Sequence, residues 1–184
     1  STDDLSTLLG CLEAEVVRWV LLGGGTNVVF ANGGYEGCVI TLGGQFARLQ
    51  KESNTTLLVG AAVSLPGLVA SAAGSGLSGL EGLTGIPGSV GGAVRMNAGT
   101  AERGIGAVVR EVRVFGDGED RWVPVEDLSF SYRSSGIGEG QIVLGVRFDL
   151  TPSCPDRVRL AMKALSSARP ATLFTIMLLI TWMG

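Results

Sequence analysis

A chain of 184 residues with 46% hydrophobic and only 17% charged residues can bury the core of one domain, or of two small subdomains sharing an interface, and is not a disordered polymer. Fourteen basic residues scattered among seventeen acidic ones give a net charge of −3 without a basic stripe, which excludes a nucleic-acid footprint. Histidine is absent, and with it go the commonest general base, the commonest metal ligand and every Ser-His or Cys-His dyad.

Ser1-Thr2-Asp3-Asp4 offers a helix cap with acids in the first turn, and Leu5, Leu8, Leu9 and Leu12 follow at helical spacing, predicting an amphipathic helix over 3–14. No basic segment precedes an apolar core, so no signal peptide is read. Val16 to Leu22 reads as a buried strand that runs into Gly23-Gly24-Gly25-Thr26-Asn27. Further strands are predicted over 28–31, 38–42, 46–50 and 56–63, separated by Asn32-Gly33-Gly34 and Ser53-Asn54. Leu65 to Ala73 is a short helix with Pro66 in its first turn and Gly74 beyond its end. A hairpin over 108–115 and 121–125 turns at Gly116-Asp117-Gly118, a third strand follows over 141–150, and 157–167 reads as a helix. These elements make a mixed α+β chain with two strand clusters hinged at a glycine-rich run. Cys11, Cys38 and Cys154 show no zinc or CxxC spacing and read as reduced, buried thiols of a cytosolic protein.

That run places glycine at every third position, Gly76, Gly79, Gly82, Gly85, Gly88 and Gly91. So few Cβ atoms suit the close approach of backbone N–H groups to a flat or anionic ligand, which points to a cofactor. A collagen segment is disfavoured because the period fails after Gly91 and Pro87 is the sole proline in the run. A flexible linker is disfavoured by Leu77, Leu80, Leu83, Ile86 and Val90, which call for burial. The earlier cluster, LLGGGTNVVF, could offer N–H groups, the Thr26 hydroxyl and the Asn27 amide to a pyrophosphate, or could be an ordinary tight turn. It is no dinucleotide fingerprint, since Val28 stands at the third glycine position and a strand follows; nor is it a P-loop, lacking the terminal GK[ST].

Ile86-Pro87-Gly88-Ser89-Val90-Gly91-Gly92 leads into Ala93 to Gly99, a candidate helix start facing an anion or a ring edge. There Arg95 and Asn97 are either polar ligand contacts or a solvated arginine and a turn asparagine. Tyr132-Arg133 within FSYRSS sets a ring and a guanidinium on a loop, where the arginine can clamp a carboxylate through two parallel hydrogen bonds or form a structural salt bridge. Residues 172–184 are uncharged and too short, against the ~20 residues needed, to cross a bilayer as a helix. They read as a buried or unnatural tail, with a membrane anchor as the alternative.

Taken in order, LGGGTNVVF, GLEGLTGIPGSVGGAVRMNAGT and FSYRSS resemble the UDP-N-acetylenolpyruvoylglucosamine reductases, over about residues 5–165. The resemblance implies an α+β FAD-binding fold of the PCMH/vanillyl-alcohol-oxidase type, with two α+β subdomains and the flavin between them. It implies an FAD-binding domain over 1–165, without its N-terminal segment, and a non-family apolar tail over 166–184, the substrate domain being absent. Non-covalent FAD would lie against Gly23, Gly24, Gly25, Thr26 and Asn27 at the pyrophosphate and against Ile86, Pro87, Gly88, Ser89, Gly91, Gly92 and Ala93 along the ring, with Asn97 and Gly99 nearby. Tyr132 and Arg133 would bind substrate, and Arg133 would hold the enolpyruvyl carboxylate and stabilise charge at the reacting carbon. The implied reaction reduces UDP-N-acetylglucosamine enolpyruvate to UDP-N-acetylmuramate with NADPH, for peptidoglycan synthesis, in a cytoplasmic monomer with no membrane, nucleic-acid or metal partner. Such a cofactor carries the hydride chemistry, which suits a chain without histidine. The alternative is a non-catalytic FAD-binding fragment or pseudoenzyme, because the family's proton-donor serine motif and late glutamate have no counterpart in this sequence.

Overall fold

Ser1 caps the first helix, α1 (Thr2–Ala14), by accepting a hydrogen bond from Asp4 N–H at 3.2 Å. The computed structural model describes residues 1–100, 103–168 and 178–179. At the end of α1, Val17 N–H donates to Leu12 C=O (2.8 Å) and Val16 N–H to Glu13 C=O (3.0 Å), the paired bonds of a Schellman motif. Val16 is its left-handed residue, with φ 53° and 88% exposure, so the strand expected from Val16 begins only at Trp19.

In chain order there follow β1 (Trp19–Leu21), β2 (Val28–Val29), β3 (Cys38–Ile40), β4 (Leu49–Lys51) and β5 (Thr56–Gly60). Next come α2 (Leu65–Gly74), β6 (Leu77–Ser78), α3 (Val90–Arg95), β7 (Val109–Gly116), β8 (Glu119–Pro124), β9 (Ile142–Asp149), β10 (Thr151–Pro152), α4 (Pro155–Ala168) and β11 (Leu178–Leu179). The stretch expected as one strand over 46–50 splits into a 3-10 turn, Gly44–Ala47, and β4. The turn sinks the Phe46 ring into a core, and Gly60 lies so close beneath Phe46 C=O that a Cβ there would collide with it.

Five strands form an antiparallel sheet in the order β4-β5-β9-β7-β8. β9 lies at its centre because Ile142 to Val146 is an unbroken apolar run, the pattern of a strand buried on both faces. The two strand clusters are therefore not separated at the glycine run: β4 and β5, which precede it, pair through β9 with β7 and β8, which follow it. The β7–β8 hairpin closes through Asp117 and Gly118, both at positive φ, as a two-residue loop of mirror-image type requires.

Two cores cover the sheet. The larger packs Leu57, Val59, Val112, Val146 and Phe148 against Leu65, Leu68 and Val69 of α2 and Val90 and Val94 of α3. The smaller joins Leu5 of α1 and Ile40 of β3 to Phe46, Phe115, Ile142 and Leu144, so α1 with the parallel pair β1–β3 forms a second α+β unit. Across the sheet, Arg147 Nε donates to Glu52 (2.8 Å), its Nη1 to Glu111 (2.7 Å), and its guanidinium stacks 4.3 Å from the Trp122 ring centre. Hydrogen bonds to Glu52, then Glu111, raise the Arg147 pKa above the usual guanidinium value.

Contrary to expectation, the cysteines are not buried: Cys11 and Cys154 are exposed, Cys38 is half-buried, and all are free thiols. Of the tail expected over 166–184, residues 166–168 complete α4 and Leu178–Leu179 pairs with β2, and the rest lies outside the described residues. Among the described residues no helix is long and apolar enough to cross a membrane.

Candidate functional site

The first glycine segment leaves the β1–β3 pair after Leu22, whose N–H is held by Ile40 C=O at 2.8 Å. The second is fixed alongside residues 61–65 by three hydrogen bonds, Leu65 N–H to Gly88 C=O, Val90 N–H to Val63 C=O and Gly91 N–H to Ala61 C=O, each 2.9 Å. This pairing sets Ser64 opposite Ser89, and these two serines are the N-caps of α2 and α3.

The two glycine segments then meet backbone to backbone. A Cβ on Gly24 would lie 2.7 Å from Gly88 Cα, one on Gly23 2.5 Å from Ser89 Oγ, and one on Gly88 3.0 Å from Thr26 Oγ1. Gly88 also has φ +115°, a conformation that residues with a side chain rarely adopt. Among the described residues, nothing accepts from the N–H groups of Gly23, Gly24, Gly25, Thr26 and Asn27, or from those of Gly88 and Ser89. Gly23 to Thr26 are exposed, and Asn27, Gly88 and Ser89 half-buried. Seven free donors around a contact with no side chain between them suit an anion with a long, flat body, and this is the chemistry of a dinucleotide pyrophosphate.

Other residues expected at the cofactor divide by what the fold does with them. Pro87 and Gly92 are exposed beside the contact, and Ile86 is half-buried against the larger core. Gly91 instead seats α3 on the turn that follows β5, since a Cβ there would lie 2.9 Å from that of buried Ala61. Ala93 is in the larger core. Gly99 pairs with Gly104, and a Cβ on it would collide with Arg103 C=O. Arg95 is no solvated arginine: its Nη1 donates to the carbonyls of Gly138 and Gln141, both at 3.2 Å.

Tyr132 and Arg133 form the tip of a tight turn closed by Ser131 N–H to Ser134 C=O (2.9 Å) and Ser134 N–H to Ser131 C=O (3.2 Å). Both side chains are exposed, the guanidinium lies 5.8 Å from the Tyr132 ring centre, and Arg133 holds φ 60°. The salt bridge entertained for Arg133 does not form among the described residues, which leaves its fork open to a carboxylate. A cavity of about 380 Å³ opens beside the first half of the glycine run, between Gly79, Glu81, Thr100, Arg103 and Leu165 of α4. Sequence reasoning overlooked Glu81, whose Oε2 accepts from Gly79 N–H at 2.7 Å, and Ser135, buried with its hydroxyl on Arg95 C=O at 3.1 Å. A serine within FSYRSS carries no signal of burial by itself.

The family of FAD binding domains matches residues 1–122. A UDP-N-acetylenolpyruvoylglucosamine reductase of Trichlorobacter lovleyi is 38% identical over 94% of this chain and 56% of its own length. One of Gluconobacter oxydans is 39% identical over 92% and 55%. The chain thus spans about half the length of the curated relatives it matches. Among solved structures, the UDP-N-acetylenolpyruvylglucosamine reductase of Thermus caldophilus superposes with a TM-score of 0.80 at 37% identity, over 92% of this chain and 60% of that one. A Cu,Mo-CO dehydrogenase shares the fold alone, with a TM-score of 0.55 at 18% identity over 73% of this chain and 52% of that one. The expected α+β FAD-binding fold of the PCMH type is borne out by these matches. The chain belongs to the FAD binding domain family, and over more than nine-tenths of its length it is similar to proteins named UDP-N-acetylenolpyruvoylglucosamine reductase.

Proposed function

We propose that this chain holds FAD non-covalently across its two glycine segments, as the flavin-binding part of an enzyme that reduces UDP-N-acetylglucosamine enolpyruvate to UDP-N-acetylmuramate with NADPH. The observation that carries the reading is the Gly24–Gly88 contact ringed by free N–H donors. When bound, FAD would supply the hydride relay from NADPH that, together with a proton, saturates the enolpyruvyl double bond. The chain's own groups do the rest. The N–H groups of Gly23 to Asn27 neutralise the pyrophosphate, and the bare backbone at Gly88 and Ser89 admits a flat ring edge. Arg133 grips the enolpyruvyl carboxylate through its open fork, orienting the double bond and holding negative charge as it develops. Tyr132, beneath the guanidinium, borders the same UDP-sugar site. Cytoplasmic peptidoglycan precursor synthesis by a monomer is the setting this reading implies.

Titration of purified chain with FAD tests the cofactor reading: a rise in melting temperature and release of free FAD on denaturation are expected. Folded chain with no FAD-induced shift overturns it. The substrate reading is tested by perturbation of the flavin absorbance on adding UDP-N-acetylglucosamine enolpyruvate. Arg133→Ala should weaken that binding by about 10²-fold, as expected for a lost bidentate charged contact, and unchanged affinity removes Arg133 from the site.

A further inference from the structure

The resemblance places Asn97 beside the cofactor, yet both ends of its amide are held within the protein. Gly106 N–H donates to its Oδ1 at 3.1 Å, and its Nδ2 donates to Ser131 C=O at 2.8 Å. One partner is donor only and the other acceptor only, which fixes the orientation of the amide. The carbonyl it grips is the one that closes the Tyr132–Arg133 turn. The seat for this amide is built of missing side chains: a Cβ on Gly104 would collide with Asn97 Oδ1, and a Cβ on Gly106 would lie 2.5 Å from the Phe130 ring. Asn97 itself adopts φ 43°, a left-handed conformation in which asparagine is enriched.

Two neighbours strengthen the same junction. Ser135, only 2% exposed, donates its hydroxyl to Arg95 C=O, and Arg95 reaches across to the carbonyls of Gly138 and Gln141. The segment that carries Arg133 is thereby bound to the C-terminal end of α3, whose N-terminal end is the Gly88–Ser89 part of the glycine contact.

We infer that Asn97 is a positioning residue: through Nδ2 and Ser131 it holds the Tyr132–Arg133 turn at a fixed place relative to the glycine cradle, and it makes no contact with the cofactor. The inference rests on the reading of Arg133 as the group that grips substrate, and it deepens that reading by naming what aims the arginine. Asp at this position keeps the acceptor for Gly106 N–H and removes the donor to Ser131, so Asn97→Asp separates the two bonds.

The test uses the whole chain and limited trypsin digestion, because Arg133 is itself an exposed cleavage site. In Asn97→Asp the cut after Arg133 should speed up about tenfold, the effect of losing one hydrogen bond on a local opening equilibrium. Cuts after Arg121 and Arg159, exposed on β8 and α4, should keep their wild-type rates, and FAD affinity should stay within about twofold. Gly104→Ala, which displaces the amide from its seat, should reproduce the pattern. An unchanged rate after Arg133 in Asn97→Asp overturns the inference. So does acceleration at all three arginines, the mark of a residue that supports the whole fold, and so does a large loss of FAD affinity, the mark of a cofactor contact. If Arg133→Ala leaves substrate affinity intact while Asn97→Asp still frees the turn, the substrate reading fails and the positioning role stands.

Discussion

Replacing Gly24 with alanine perturbs the contact between the two glycine segments and little else. Gly24 has no left-handed φ, so the added Cβ introduces no backbone strain of its own. It does introduce a carbon 2.7 Å from Gly88 Cα, 3.1 Å from Gly88 C and 3.3 Å from Ser89 N. Carbon atoms rest about 3.5–4.0 Å apart, so the segments must part by about 1 Å. Overpacking of this size costs about 1–3 kcal/mol. Gly24 is exposed and Gly88 is pinned by Leu65, so the movement falls on the first segment and on its free N–H groups. The cost therefore lands on ligand binding: FAD affinity should fall roughly 5- to 150-fold. The melting temperature without FAD should drop by less than about 4 °C. Flavin fluorescence titration measures the first quantity and thermal denaturation the second. Gly33→Ala is the control, since a Cβ there meets nothing within 4 Å and no left-handed φ is involved. Wild-type affinity in a folded Gly24→Ala variant would refute the cradle.

Other substitutions probe the frame that carries this site. Val16→Gly should raise the melting temperature by about 2–4 °C, because a β-branched residue at φ 53° carries about 1–2 kcal/mol of strain and, at 88% exposure, packs against little; a lower melting temperature would refute the Schellman assignment. Arg147→Met leaves Glu52 and Glu111 without their shared cation and should cost about 1–2 kcal/mol, a gap that narrows in high salt because the groups are only partly buried. A melting temperature unchanged at low salt would show that the cluster is decorative. Gly91→Val should destabilise the chain before any ligand is added, since its side chain would press on Ala61 of the core, and wild-type stability would be the contrary result.

Local chemistry made the elements with strong internal signals readable: the capped, leucine-periodic α1, the Asp-Gly hairpin and the apolar β9. The failures share one cause, the dominance of distant partners. Val16-Val17 has the composition of a strand, yet the preceding helix needs two residues to cap its carbonyls, and that demand arises three and five residues upstream, at Glu13 and Leu12. β5 joins β9 across more than eighty residues of chain and brings β4 with it, a pairing that no local window contains. The regular glycine spacing conveys an order that does not exist in space. Gly79 sits at φ +128° beside Val108 and Leu150, whereas Gly91 lies inside α3 against Ala61, so the period of three does not correspond to one repeated structural role.

The same distinction governs the site. Motifs marked the two glycine segments that meet in space and the exposed turn that carries Arg133, because a close backbone contact is written as contiguous glycine and a tight turn keeps its neighbours in sequence. What holds those neighbourhoods together is written elsewhere. Asn97 acts on Gly106, nine positions away, and on Ser131, thirty-four away. Its role is visible only where the chain has folded the 3-10 turn at Ile105–Val108 against the segment from Phe130. An asparagine in MNAG therefore reads from sequence as a ligand contact or a turn residue, though the fold ties each end of its amide to a distant backbone group. A binding motif read in isolation assigns to the ligand every polar group within it, and the fold decides which of those groups are free to serve. The N–H groups of Gly23 to Asn27 are free by that measure among the described residues, whereas Nη1 of Arg95 and the amide of Asn97 are tied to backbone groups of the protein.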